Sequence, residues 1–240
     1  MCFHNSLSKK AQELANRFNA QAEIDFEPIY YASAFTFPAW PVISEEEPDT
    51  INMFRWGLIP HWVKDETQSK ELRKMTLNAK SETVFEKPSF KFSIHKKRCL
   101  VLSTGFYEWR DYQKKKYPYF IRMKKIELFA MAGIYSIWNN KSTGESVSSF
   151  SILTTHSNPL LSKIHNVKER MPVILSTESE REWLNADLTD KQIQSFFPAI
   201  DERLLEANTV SGLITSKEKN PNIPEVQNEF DYPELEKIQL

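Results

Sequence analysis

The stretch that decides the fold lies between residues 98 and 138: RCLVLSTGFYEW (98 to 109), YPYFIRM (117 to 123) and LFAMAGIYSIW (128 to 138). Aromatic and β-branched side chains dominate each run, and charged or turn-forming residues separate them, so strands are expected at 99 to 109, 117 to 123 and 128 to 138. A short basic turn divides the second from the third, which reads as a hairpin. Working outward, residues 29 to 56 are rich in Tyr, Phe, Ile and Val and are interrupted by Pro38, Pro41 and Pro48, which predicts short strands and loops. Further strands are expected at 150 to 155 and 171 to 175, with a loop between them. Leu7, Ala11, Leu14, Ala15 and Phe18 share a helical face behind the candidate caps Ser6 and Ser8, leaving Cys2 on a short arm in front. Thr177 with Glu180 and Thr189 with Gln192 are capping boxes that open two short helices. Beyond about residue 217 a polar segment carrying Pro221, Pro224 and Pro233 is expected to be extended. The sum is one α+β domain over residues 1 to 240, β-rich, with an antiparallel barrel-like sheet and peripheral helices.

The chain has 240 residues, 40% hydrophobic and 26% charged, with a net charge of −1. No run approaches the roughly 18 apolar residues of a membrane span, and the first twenty residues are unlike a secretory signal. A soluble, monomeric, cytoplasmic protein with no membrane partner is expected, nucleoid-associated when DNA is damaged. The charge is uneven: between Lys87 and Lys125 stand twelve lysines or arginines against Glu108 and Asp111, a distribution suited to a polyanion-binding face. Only Cys2 and Cys99 occur, and neither has metal-ligand spacing, so no disulfide framework, metal site or cofactor is expected.

Cys2 is the most informative single residue. Methionine followed by a small side chain is the usual substrate for removal of the initiator, which would leave an N-terminal cysteine. Its amine, with an unperturbed pKa of about 7.7 to 8.0, and its thiol, near 8.5, lie on adjacent carbons. Such an aminothiol converts an aldehyde first to a Schiff base and then, by thiol addition, to a five-membered thiazolidine. No interior cysteine can do this.

In order and spacing, MCFH, WGLIPHW (56 to 62), NAKSE (78 to 82), RCLVLSTGFYEW (98 to 109), FAMAGIYSIW (129 to 138), FSILTTHSN (150 to 158) and IHNVKERMPVIL (164 to 175) resemble the SRAP family, named for SOS-response-associated peptidase. The resemblance implies a β-rich fold that crosslinks to abasic sites in single-stranded DNA. It also implies an active centre made of an N-terminal cysteine, an asparagine, a glutamate and a histidine, here Cys2, Asn78, Glu108 and His165. Asn78 offers an amide to hold the amine or a sugar oxygen. Glu108 offers a carboxylate to move protons during Schiff-base formation. His165, of the residue type that titrates near neutrality, offers a general acid to open the closed deoxyribose. Lys80 and Arg170 are the leading phosphate candidates, with Arg98 and Lys97 behind them. Trp109, and Trp56 or Pro60, are candidates to stack on or wedge between bases.

The chain departs from the family pattern in four places. His4 stands where arginine is frequent, Lys80 where NAR is usual, HNVKERMP is longer than HxRMP, and residues 35 to 40 lack the NxAPT form. Two other readings stay open on the residues alone: an N-terminal nucleophile peptidase or amidohydrolase using Cys2, and a basic DNA-binding module in which Cys2 is idle. AP-lyase chemistry alongside crosslinking is likewise left open.

Overall fold

A computed structural model describes residues 2 to 22, 24 to 216 and 218 to 235. The first strand, β1 (His4–Leu7), leads to helix α1 (Ala11–Phe18). Leu7, expected on the helical face, belongs to the strand, while Leu14 and Phe18 pack the helix onto the core. Strands β2 (Gln21–Ala22), β3 (Ile29–Ser33), β4 (Ala39–Ser44) and β5 (Thr50–Trp56) follow, then α2 (Glu66–Arg73), β6 (Asn78–Lys80) and α3 (Lys91–Lys96).

The quoted stretch then supplies four strands: β7 (Arg98–Ser103), β8 (Gly105–Tyr112), β9 (Lys115–Met123) and β10 (Phe129–Asn139). The chain continues through β11 (Ser146–His156), α4 (Pro159–Ile164), β12 (Arg170–Pro172), α5 (Thr177–Trp183), α6 (Asp190–Gln194) and β13 (Leu205–Thr209). Ser176 rather than Thr177 caps α5, whereas Thr189 and Gln192 form the full capping box of α6. Helix α4, capped by Asn158, lies inside the segment expected to be a loop.

The strands form a closed barrel and a second, open sheet. Around the barrel β7 pairs with β10, β10 with β11, β11 with β5, β5 with β4, and β4 again with β7. All these contacts are antiparallel except the closing one, where Ser149 and Phe150 run parallel to Arg55 and Trp56. Closure removes exposed edges and gives the large side chains an interior. Trp40, Trp56 and Phe150 fill it in a chain of ring contacts at 6.3 and 5.8 Å, and the two indole N–H groups donate to the carbonyls of Leu102 and Leu77. The second sheet has the order β13, β9, β8, β1, β3.

The run from 99 to 109, read from sequence as one strand, is therefore two strands in two sheets. They are divided at Thr104, whose hydroxyl accepts from the backbone N–H of Ser8 at 3.0 Å. Gly105 permits the switch, because a Cβ there would meet the Phe120 ring at 2.4 Å. The expected hairpin of 117 to 123 with 128 to 138 does not form. Instead β9 pairs with β8 through a turn in which Gln113 and Lys114 take positive φ, and β10 belongs to the barrel. The segment after 217 is not simply extended: Pro224–Gln227 forms a 3-10 turn, Val226 is buried, and Gln227 donates to Ser6 Oγ. Among the described residues no helix is long and apolar enough to cross a membrane.

Arg98, expected to meet phosphate, is fully buried. Its guanidinium donates to the carbonyls of Ile94, His95, Trp183 and Asn185, tying α3 to the end of α5. A charge so placed is held by backbone dipoles and has no surface to offer DNA. Arg98→Leu leaves those carbonyls buried without donors, and it is expected to cost on the order of 3 kcal/mol and lower Tm by roughly 6 to 12 °C. Calorimetry on the variant checks this; an unchanged Tm would return Arg98 to the surface role.

Candidate functional site

Strand β1 runs between β3 and β8, with Asn5 opposite Phe106 and Ser6 opposite Gly105. The short arm expected in front of the helix is thus an interior strand from His4 onward, and its register brings Cys2, two residues before it, to the neighbourhood of Glu108. Cys2 is fully buried, with its Sγ 3.9 Å from the His4 carbonyl oxygen. Burial, and next the nearby Glu108 charge, push its thiol well above the usual range. Glu108 is itself 4% exposed, and burial pushes its carboxyl up to about 8, so it holds a proton at neutral pH.

His165, just past the end of α4, brings Nδ1 to 3.6 Å from Glu108 Oε1 and to 2.9 Å from the Arg170 carbonyl oxygen. A carbonyl only accepts, so Nδ1 carries the proton and the lone pair of the neutral ring is on Nε2. Burial brings the imidazole down to about 4, which makes the ring neutral at pH 7 and removes the imidazolium expected to serve as an acid. Glu108 and His165 open onto a cleft of about 310 Å³ whose other walls include Phe3, His4, Trp109, Lys116 and Lys168. His4 is sandwiched there: Tyr31 stacks on it with its hydroxyl oxygen 2.8 Å from Nδ1, and Trp109 meets it edge-on at 4.6 Å.

Asn78 comes from the barrel side, on β6, where it pairs with Ile152 of β11. It is buried, and among the described residues neither atom of its amide has a hydrogen-bond partner. An amide desolvated in this way costs about 1 to 3 kcal/mol, an expense that a ligand arriving at the amide would recover. Among the described residues no group of three His, Cys, Asp or Glu side chains is placed to hold a metal ion.

The family model for SOS response associated peptidase (SRAP) matches residues 1–217. The chain belongs to the SRAP family. An abasic site processing protein of Bacillus subtilis, YoqW, is 36% identical over 225 residues, covering 92% of this chain and 96% of its own. The abasic site processing protein HMCES of Mus musculus is 38% identical over 159 residues, 55% of this chain and 44% of its own. Among solved structures, a protein from Bacteroides thetaiotaomicron superposes with a TM-score of 0.91 at 43% identity, covering 95% of this chain and all of that one. A Bordetella bronchiseptica protein at 24% identity shares the fold with a TM-score of 0.74, covering 88% of this chain and all of its own.

The SRAP scaffold distributes the expected DNA-contact residues unevenly. Lys80 is exposed at the end of β6, and Trp109 is half-buried in the cleft wall. Trp56 and Pro60 are buried, so neither can stack on or part bases; the exposed tryptophan of that stretch is Trp62. Lys97 is ion-paired with Glu46. Arg170, expected at phosphate, is 6% exposed and engaged: its two Nη atoms donate to the Glu82 carboxylate at 2.5 and 3.0 Å, and Nη2 also reaches the Thr154 carbonyl. Sequence reasoning missed Glu82 as a functional candidate, although it closes the NAKSE stretch, because nothing in one dimension pairs it with Arg170. It also missed Asn166, whose amide exchanges two hydrogen bonds with the backbone of Asp111 and so fastens the loop after His165 to β8.

The two buried titrating groups act on stability with opposite signs. Between an ordinary carboxyl value of 4.5 and about 8, folded Glu108 keeps a proton that the unfolded chain has released, so stability falls as pH rises through that window. Between the ordinary 6.5 and about 4, the unfolded chain protonates His165 and the folded state does not, so stability also falls as pH drops. Urea midpoints of Glu108→Gln should gain on the wild type steadily from pH 5 to pH 8.5. A difference independent of pH would remove the buried proton from Glu108.

Proposed function

We propose that this protein processes abasic sites in single-stranded DNA by capturing the sugar aldehyde as a thiazolidine on Cys2, once removal of Met1 frees the α-amine. The observation that carries the reading is the convergence of Cys2, a proton-bearing Glu108 and a neutral His165 beside one open cleft. The names of the relatives, which describe abasic site processing, support the choice of substrate.

The buried groups suggest an order of steps. In the closed deoxyribose, the His165 Nε2 lone pair accepts the C1′ hydroxyl proton while Glu108 donates its own proton to O4′, and the C1′–O4′ bond breaks to give the aldehyde. The Cys2 amine then attacks C1′, and the resulting carbinolamine loses water to form the Schiff base. Burial keeps the thiol protonated, which favours the amine as first nucleophile. The sulfur adds last: the C1′–Sγ bond closes the five-membered ring, and the thiol proton ends on the ring nitrogen. The Asn78 amide, without a partner among the described residues, would hold a sugar or phosphate oxygen. Lys80, Lys116 and Lys168 supply positive charge for the strand, and Trp109 an aromatic face.

The deciding experiment incubates untagged protein with single-stranded DNA bearing one abasic site and looks for a heat-stable shifted band on a denaturing gel. Intact mass should show loss of Met1 and an adduct on Cys2. Cys2→Ala should form no adduct yet bind the strand normally, and a residue left in front of Cys2 should have the same effect, since an amide nitrogen cannot form a Schiff base. An adduct of normal yield from either protein contradicts the mechanism.

Glu108→Gln should slow adduct formation by roughly 10² or more while remaining folded. Binding should weaken with salt at a log-log slope of about −0.7 per phosphate neutralised, and Lys80→Glu should flatten the slope. A salt-independent affinity would remove the phosphate-binding role.

A further inference from the structure

We propose that Glu82 is a positioning residue, which acts through Arg170 to hold the His165 ring in a single tautomer; the inference rests on the abasic-site reading above. The geometry is a continuous relay. Glu82 grips the Arg170 guanidinium with both carboxylate oxygens, and the Thr154 carbonyl and hydroxyl hold the same Nη2 at 2.6 and 3.2 Å. Arg170 begins β12, where it pairs with His156 of β11, so its backbone is anchored on the barrel as well. The carbonyl that this arrangement fixes in space is the one facing His165 Nδ1 at 2.9 Å.

The five-residue interval from His165 to Arg170 depends on such anchors. Glu169 takes a left-handed φ of 48°, and Val167 is 66% exposed. At its other end the loop is fastened by Asn166 to the Asp111 backbone at 3.0 and 2.9 Å. A loop pinned at both ends presents the imidazole to Glu108 in one orientation; released at Arg170, its carbonyl no longer dictates which ring nitrogen bears the proton. Glu82 reaches none of the groups assigned to the chemistry, so its influence travels through the hydrogen bonds of Arg170. His156 Nε2, 3.1 Å from Glu82 Oε1, is a more exposed second partner of the same carboxylate. The pairing also explains why Arg170 is a poor phosphate ligand here: its charge is already neutralised two-pronged by Glu82.

The test uses full-length protein with 15N-labelled histidine. In the wild type the two His165 ring nitrogens should resonate far apart, as one protonated and one bare nitrogen. In Glu82→Gln they should move together as the tautomers average. The same variant should bind single-stranded DNA carrying tetrahydrofuran, an abasic analogue with no aldehyde, close to wild-type strength, while forming the adduct at least about tenfold more slowly. Arg170→Lys, which keeps the charge and loses the fork, should average the ring in the same way. A single tautomer retained in both variants, or a rate loss matched by an equal loss of analogue binding, overturns the positioning role. If the wild type forms no adduct, the abasic-site reading fails while the ring resonances still decide the role of Glu82.

Discussion

The pairing of β1 with β8 is the contact on which the site depends, since it puts the beginning of the chain in the interior of a sheet. Asn5 and Ser6 are buried opposite Phe106 and Gly105, and a polar lattice of Ser103, Thr104, Ser6 and Asn5 holds the crossing between the two sheets. Backbone ladders flank β1 on both sides from His4 and Asn5 onward, two and three residues after the buried Cys2. A residue so near a terminus would ordinarily fray. Here the register of β1 against β8 sets its distance from Glu108, which stands one position beyond Tyr107 along β8.

From that placement follows the unusual protonation of the site. Glu108 and His165 are both withdrawn from water, and desolvation disfavours the charged form of each, so it raises the carboxyl and lowers the imidazole. The result at neutral pH is a carboxylic acid beside a neutral ring, where ordinary solution values would give a carboxylate. Groups pushed in opposite directions by one environment can exchange roles as donor and acceptor without either carrying a buried charge.

The basic character of the chain is spent in two ways. Arg98 and Arg170 are consumed inside the protein, one by backbone carbonyls and the other by Glu82, because a guanidinium satisfies several acceptors in a fixed plane. Lysines, whose flexible stems suit a solvated surface, remain at the cleft as Lys116 and Lys168 and on β6 as Lys80. Counting cations along the sequence therefore overstates what DNA would meet.

The sequence by itself determined the strand-rich character, the capping of α6, the SRAP membership carried by its ordered motifs, and the candidates Cys2, Asn78, Glu108 and His165, because periodicity, capping and motif spacing are local properties. It did not determine that residues 98 to 109 divide between two sheets at Thr104, or that β9 pairs backward to β8. The first depends on barrel closure, in which β11 meets β5 across some ninety residues of chain, and the second on the open sheet that β8 forms with β1. Nor did it distinguish buried Trp56 and Arg98 from exposed Trp62 and Lys80, since tryptophan and arginine serve core and surface alike. Only the tertiary structure decided those fates, and with them the protonation of Glu108 and His165, because burial and the partners of a charge are set by residues distant in sequence.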